Sequence, residues 1–300
     1  MKPKEWAVFI ALGLIWGSSF LWIKVAVQEV DAFTLVGWRL LFGTLGMLAV
    51  IALRRPSFPR TWRTWVALAV LGIINTALPF VLISWGEKSI DSAVASVLNS
   101  TVPLFTLVIA HLFLHDERIT ARKAVGLLIG FAGILALMAR DLEIGSLRAG
   151  VLGQAAVLVA AVSYASASVF ARRTMREISP MVQAFVPMAF ADAVVWSMAT
   201  QVGEPGRLPA LPITWVALLW LGLLGSCVAY LLYYNLLHSV GATRAVMVTY
   251  IFPVVGVALG VLFLDELADW HLLVGGLLVV ASIAVVNWQP KVVVVAAPAD

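Results

Sequence analysis

Long apolar stretches separated by short polar or charged segments run from Trp6 to Trp288. About 20 helical residues are needed to cross the hydrocarbon of a bilayer. The pattern therefore predicts ten transmembrane helices, at about 6–23, 33–53, 65–86, 92–114, 122–139, 150–171, 179–200, 213–236, 243–264 and 270–288. The fourth and ninth stretches echo one another. Asp91 to Glu117 reads DSAVASVLNSTVPLFTLVIAHLFLHDE and Gly241 to Glu266 reads GATRAVMVTYIFPVVGVALGVLFLDE. Each holds one proline near its middle, Pro103 or Pro253, 150 positions apart in a chain of 300. Inside a helix such a proline frees the carbonyl four residues back, at Asn99 or Thr249. An unpaired carbonyl is costly in hydrocarbon, so each must face a neighbouring helix, a side chain or a water-filled cavity; the bend either improves helix packing or shapes a midplane cavity, and the cavity is expected because the feature occurs once per half.

The repeat extends further. Leu71-Gly72 matches Leu221-Gly222, Phe80 matches Tyr230, and Lys88 matches His238, all at the same offset, while Trp16 to Lys24 aligns with Tyr164 to Arg172 at an offset of 148. The chain is expected to divide into a first five-helix repeat at 1–141, a second at 142–289 and a tail at 290–300, with Leu142 to Leu147 as the hinge. Five spans per half make the halves oppositely oriented, the inverted topology of secondary transporters. Lysine and arginine set the direction. With the amino terminus inside, cytoplasmic segments hold thirteen of them and outer loops four (Lys88, Arg140, Arg148, Arg207). The positive-inside rule then places both termini in the cytoplasm. Trp6 to Ile23 is too long for a signal-peptide core and reads as a retained first span.

Composition narrows the function classes. Hydrophobic residues are 62% and charged residues 12% of the chain, against about 45–50% and about 25% in soluble domains. The net charge of +4 is clustered by loop, which argues for a topology signal and against nucleic acid. The single cysteine, Cys227, lies in an apolar run, so neither a disulfide framework nor a cysteine zinc site is available within the chain.

Polar and aromatic residues concentrate in the first, third, fourth, sixth, eighth and ninth helices. The candidate solute-binding residues are Trp16, Ser19, Lys24, Asn75, Pro79, Trp85, Asn99, Pro103, Tyr164, Ser168, Tyr230, Tyr234, Tyr250 and Pro253. A buried tyrosine offers an apolar ring and a hydroxyl that needs a partner, which suits an amphipathic solute. The same small polar residues also bind membrane helices to one another, and aromatic residues near helix ends anchor at the interface. Lys24 either snorkels or attracts an anionic group at the outer mouth, and Arg39 reads as structural. Asp192 and His111 are the candidates for proton coupling, because ionisable groups in membrane helices are costly. Gly13-xxx-Gly17, Gly126-xxx-Gly130 and Gly256-xxx-Gly260 permit close helix approach.

The chain has no HExxH, P-loop or GxSxG sequence. No metal site, cofactor or direct use of ATP is expected, and the chain is read as not an enzyme. Ten spans in two halves, the opening LGLIWGSSFLWIKVAV, Trp38-Arg39-Leu40 and the proline-to-glutamate spacing ending at Glu117 and Glu266 resemble the EamA-type permeases of the drug/metabolite transporter superfamily. Within it the chain is similar to bacterial amino-acid and metabolite exporters, including the YddG-type exporters of aromatic amino acids. The resemblance implies an all-α membrane protein with a central cavity, exporting solute across the bacterial inner membrane by alternating access. It implies a small-molecule solute and the bilayer as partners, and a monomer or weak dimer. Small multidrug members of the superfamily use a glutamate in their first helix; this chain has none within that span. The competing readings are a multidrug or nucleotide-sugar carrier, a lipid-modifying membrane enzyme, and a passive channel.

Overall fold

The computed structural model describes residues 2–114, 118–143, 149–175, 177–202, 208–240 and 247–287. Among these residues the chain is helical throughout. The long helices are α1 (Pro3–Ala26), α2 (Ala32–Arg54), α7 (Ala121–Glu143), α8 (Ala149–Thr174) and α9 (Pro180–Val202). The other spans are composite. The third joins α3 (Trp62–Gly72), a π-helical segment (Ile73–Ala77) and α4 (Leu78–Gly86). The fourth is α5 (Ser92–Asn99) followed by α6 (Val102–Phe113). The eighth joins α10 (Pro212–Leu219), a second π segment (Trp220–Val228) and α11 (Ala229–Val240). A 3₁₀ turn (Met247–Tyr250) leads into α12 (Ile251–Phe263), and α13 is Trp270–Asn287. Among the described residues eight spans are long and apolar enough to cross a membrane, and Met247–Phe263 and Trp270–Val286 are two shorter apolar helices.

The expected proline kinks take another form. α5 ends at Asn99 and a new helix begins at Val102, so Pro103 stands in a first turn, where a missing N–H costs little. The break satisfies its own polar groups: Ser100 Oγ donates to Val97 O (2.6 Å) and Thr101 Oγ1 to Leu98 O (2.5 Å). Pro253 likewise follows the 3₁₀ turn, three residues into α12.

α1 runs between α12, α11 and α5, while α8 packs on α4 and α6, and α2 packs on α9 and the second π segment. α7 and α13 lie against one another at the periphery. The glycine pairs serve these crossings. Gly13 and Gly17 meet Ile251 and Val255 of α12, and Gly256 meets Ser96 of α5. Gly72 is the tightest case with backbone: a methyl there would stand 2.5 Å from the Pro187 carbonyl oxygen of α9. Backbone cannot rotate away, so Gly72→Ala should cost about 1–3 kcal/mol by overpacking. Gly276, whose methyl would meet Val97 at an ordinary 3.6 Å, is the control. Thermal unfolding in detergent should show a lower midpoint for Gly72→Ala and none of that loss for Gly276→Ala.

Candidate functional site

Two observations point to a candidate site: where the π segments open the helical ladder, and which side chains close it again. In a π-turn the N–H reaches five residues back, as Leu78 N does to Ile73 O. Such turns recur at functional positions in helices. Carbonyls in the two π segments take side chains from distant helices. Trp16 Nε1 of α1 donates to Gly225 O (3.0 Å), and Ser163 Oγ of α8 donates to Ile74 O (2.6 Å). Each bond joins the first half of the sequence to the second.

Aromatic rings gather around Trp16. Its centroid lies 6.1 Å from Tyr230, 5.6 Å from Tyr233 and 6.0 Å from Phe252. Asn75 Nδ2, in the first π segment, lies 3.4 Å from the Tyr230 hydroxyl. Beside them stands Arg39 of α2, 5% exposed. Its guanidinium carbon sits 3.8 Å over the Phe80 ring, a cation–π distance. Its Nε donates to Ser226 Oγ (3.2 Å) in the second π segment. Among the described residues that is the one hydrogen bond the guanidinium makes, so its terminal nitrogens remain available. Arg39 lies within electrostatic reach of Tyr164, Tyr230 and Glu87. A buried cation with a planar donor fork, bordered by phenols and indole, can take a carboxylate in bidentate fashion.

About 12 Å further along α1, at the rise of an ordinary helix, the end of the bundle away from the amino terminus is tied together. Lys24 Nζ donates to Glu87 O and Ile90 O, both at 2.7 Å, clasping the turn between α4 and α5. Glu266, after α12, accepts from Ser92 N (2.6 Å) and Ala93 N (2.9 Å), capping α5. Glu29, after α1, accepts from Leu211 N (3.1 Å) and from Thr214 Oγ1 at the start of α10. A cleft of about 280 Å³ lies at this end, lined by Lys24, Gln28, Asp91 and Leu264 to Leu267. Beneath the clasp the Glu87 side chain is fully buried, and neither carboxyl oxygen has a partner among the described residues. Burial pushes this carboxyl well above its ordinary range; Lys24 opposes the shift, Glu266 adds to it and Arg39 opposes it.

The expected site residues distribute unevenly. Trp16, Asn75, Tyr164 and Tyr230 come together around Arg39. Ser19 bonds its own helix at Ile15 O, with its hydroxyl near Gly225. Pro79 is buried in the first turn of α4. Asn99 is half-buried with Oδ1 unpartnered among the described residues. Pro103 and Pro253 stand at the helix breaks. The Tyr250 hydroxyl donates to Ile283 O of α13 (2.7 Å). Trp85 is 45% exposed. Ser168 is exposed and bonded within α8 to Tyr164 O. The Tyr234 side chain lies outside the described residues. His111 is exposed near the end of α6, and Asp192 interacts with Trp196, which packs on Gly37 and Trp38 at the α2–α9 contact. Neither belongs to the aromatic cluster. Glu87 was not among the expected residues, and Arg39 was read as structural. A signal existed for Glu87: a carboxylate directly after an uncharged span, with a lysine one turn from the end of the first.

Comparisons with known proteins bear on the family of the chain. The sequence profile of the EamA-like transporter family matches residues 5–139 and again 151–288. The chain is 32% identical over 265 residues to the uncharacterized inner membrane transporter YedA of Escherichia coli K12, covering 87% of this chain and 82% of that one. It is 25% identical over 277 residues to the uncharacterized transporter YoaV of Bacillus subtilis, covering 91% and 93%. A solved structure of a chain 22% identical superposes with a TM-score of 0.68 over 95% of this chain and 98% of that one, which shows a shared fold. With its membrane-length helices and a profile match over most of its length, the chain belongs to the EamA-like transporter family and is a membrane transporter.

Proposed function

We propose that the protein exports amino acids, aromatic or other apolar ones among them, or closely related metabolites, across a bacterial inner membrane. The observation that carries this reading is the Arg39 guanidinium, buried beside Phe80, Tyr164 and Tyr230 with its terminal nitrogens available. The solute carboxylate would take the fork, and its side chain would lie against Trp16, Tyr230 and Tyr233. The inner-membrane setting rests on the name of the YedA relative and the orientation on the lysine and arginine bias. Two five-helix repeats, 1–141 and 142–289, would rock about the aromatic cluster, and the double profile match supports that division. The clasp at Lys24, Glu29 and Glu266 would be the gate that opens and closes.

A thermal-shift screen of the twenty amino acids on detergent-solubilised protein tests the substrate class. A ligand of the folded state raises its stability by about 2.7 kcal/mol at a hundredfold excess over Kd. Shifts for aromatic and large apolar amino acids, and none for their decarboxylated amines, are the expected result. Equal shifts for amines and amino acids would remove the carboxylate from recognition.

A further inference from the structure

We propose that Glu87 seats the α-ammonium of the solute whose carboxylate Arg39 holds, so that the site accepts zwitterionic amino acids and rejects the same acids without the amine. The assignment rests on the exporter reading for the carboxylate end, and on one face of α4 for the ammonium end.

Phe80, Ser84 and Glu87 stand at i, i+4 and i+7 along α4, and Glu87, just past its last residue, keeps helical backbone angles (φ −66°, ψ −8°). They therefore share one face. Arg39 lies over Phe80 at one end of that stripe. Glu87 stands about 10 Å further along at the rise of a helix, and its side chain leaves the backbone tilted back toward Ser84. Ser84 and Glu87 are 0% exposed. Ser84 Oγ and both Glu87 carboxyl oxygens have no hydrogen-bond partner among the described residues. A serine in a helix can close on a carbonyl of the preceding turn, as Ser19 and Ser168 do; Ser84 does not. Buried polar atoms in a row are costly unless something pairs with them.

Four charged groups meet at this end, and two of them are engaged. Lys24 donates to Glu87 O and Ile90 O, and Glu266 accepts from Ser92 N and Ala93 N. Arg39 and Glu87 are the other two. Each lies within electrostatic reach of the other, yet no hydrogen bond joins them among the described residues. A buried pair that served the fold alone would close up, because only close contact offsets the desolvation of both ions. Here a gap is left between opposite charges. An α-amino acid carries the complementary pair, a carboxylate and an ammonium on one carbon. Two charge-assisted hydrogen bonds of about 2.8 Å, with the solute's own charged groups between them, span such a gap. There is room at the fork as well: Gly225 has no side chain, and a methyl there would stand 3.8 Å from Arg39 Nη2.

Burial favours the neutral acid at Glu87 while the site is empty. An ammonium set against it supplies the missing countercharge. The acid's proton passes to water along the path by which the solute came, and carboxylate and ammonium remain paired. With the solute seated, guanidinium faces carboxylate and ammonium faces Glu87, so the charges cancel in place. A solute with a carboxylate and no amine would leave Glu87 and Ser84 unpaired.

Titration calorimetry on detergent-solubilised protein tests this with two probes: L-phenylalanine, and 3-phenylpropanoate, which keeps the ring and the carboxylate and lacks the amine. The parent should bind L-phenylalanine tighter by about thirtyfold or more, the loss that follows from removing one partner of a buried charge pair. Glu87→Gln keeps the shape of the neutral acid without its charge. It should bind 3-phenylpropanoate as the parent does and L-phenylalanine about thirtyfold or more weaker than the parent, so that the preference disappears. Equal binding of the two probes by the parent overturns the proposal and leaves the Arg39 end standing, as does a preference that survives Glu87→Gln. Loss of both probes in Glu87→Gln would make this a structural acid and also overturns it. Binding of neither probe by the parent removes the exporter reading, and the ammonium seat with it.

Discussion

Arg39→Met should severely weaken solute binding while leaving the protein folded. Methionine keeps the length and much of the packing over Phe80, and it removes a buried charge whose desolvation is costly. Among the described residues the guanidinium makes one hydrogen bond, to Ser226 Oγ. Ser226 Oγ also donates to Leu221 O (3.0 Å), so it is not orphaned when the arginine goes. Little structural role is therefore lost. Recognition is another matter: truncating one partner of a buried, hydrogen-bonded charge pair costs about 2–5 kcal/mol. A weakening of roughly 30-fold to several thousandfold in apparent affinity follows, at about 1.4 kcal/mol per tenfold. Arg39→Lys should fall between, since a lysine keeps the charge but not the planar fork. Titration calorimetry with L-phenylalanine checks both variants. Unchanged affinity in Arg39→Met would show that the solute does not touch this side chain.

Glu266→Ala should loosen the end of the bundle away from the amino terminus and destabilise the protein by roughly 3 kcal/mol. Each carboxylate oxygen serves one N–H in the first turn of α5, at 2.6 and 2.9 Å, and Glu266 is 8% exposed. The first N–H groups of a helix have no partner within it, and water has little access here. Removing the acceptor leaves two buried donors, each costing about 1–3 kcal/mol, and takes a negative charge from a helix amino end. Glu266→Gln, which retains one good acceptor, should lose about half as much. Hydrogen exchange at the Ser92 and Ala93 amides is the local measurement. Faster exchange at these two, with little change at the Gly133–Gly275 contact of α7 and α13, is expected. Uniform acceleration would instead mean global unfolding, with no separate gate at this end.

Much of the framework was legible before any coordinates. Stretch lengths and hydropathy indicated the membrane spans, because hydrocarbon leaves a chain few choices but helices. The two proline stretches marked breaks, although proline starts a second helix rather than bending one. Trp16, Tyr164, Tyr230 and Asn75 stood out as polar or aromatic residues in apolar helices, and the fold gathers them. The rest depended on packing. The π segments at Ile73–Ala77 and Trp220–Val228 carry no residue signature; what holds them is Ser163 on Ile74 O and Trp16 on Gly225 O, each pair far apart in sequence. Glu87 was not singled out in the sequence. Its burial is produced by Lys24, 63 positions earlier, drawing its carbonyl inward. Arg39 looked like a structural arginine because its Phe80 and Ser226 neighbours come from two other spans. Asp192 drew notice for its depth in a helix, but depth alone does not place a side chain toward a solute path.

Counterflow in proteoliposomes tests most directly whether this fold moves an amino acid. Liposomes holding purified protein and loaded with unlabelled L-phenylalanine should take up external labelled L-phenylalanine at a rate that saturates, with Arg39→Met reduced to the protein-free background. Uptake that rises linearly with concentration, or that is the same with and without Arg39, would contradict a saturable carrier built around this site.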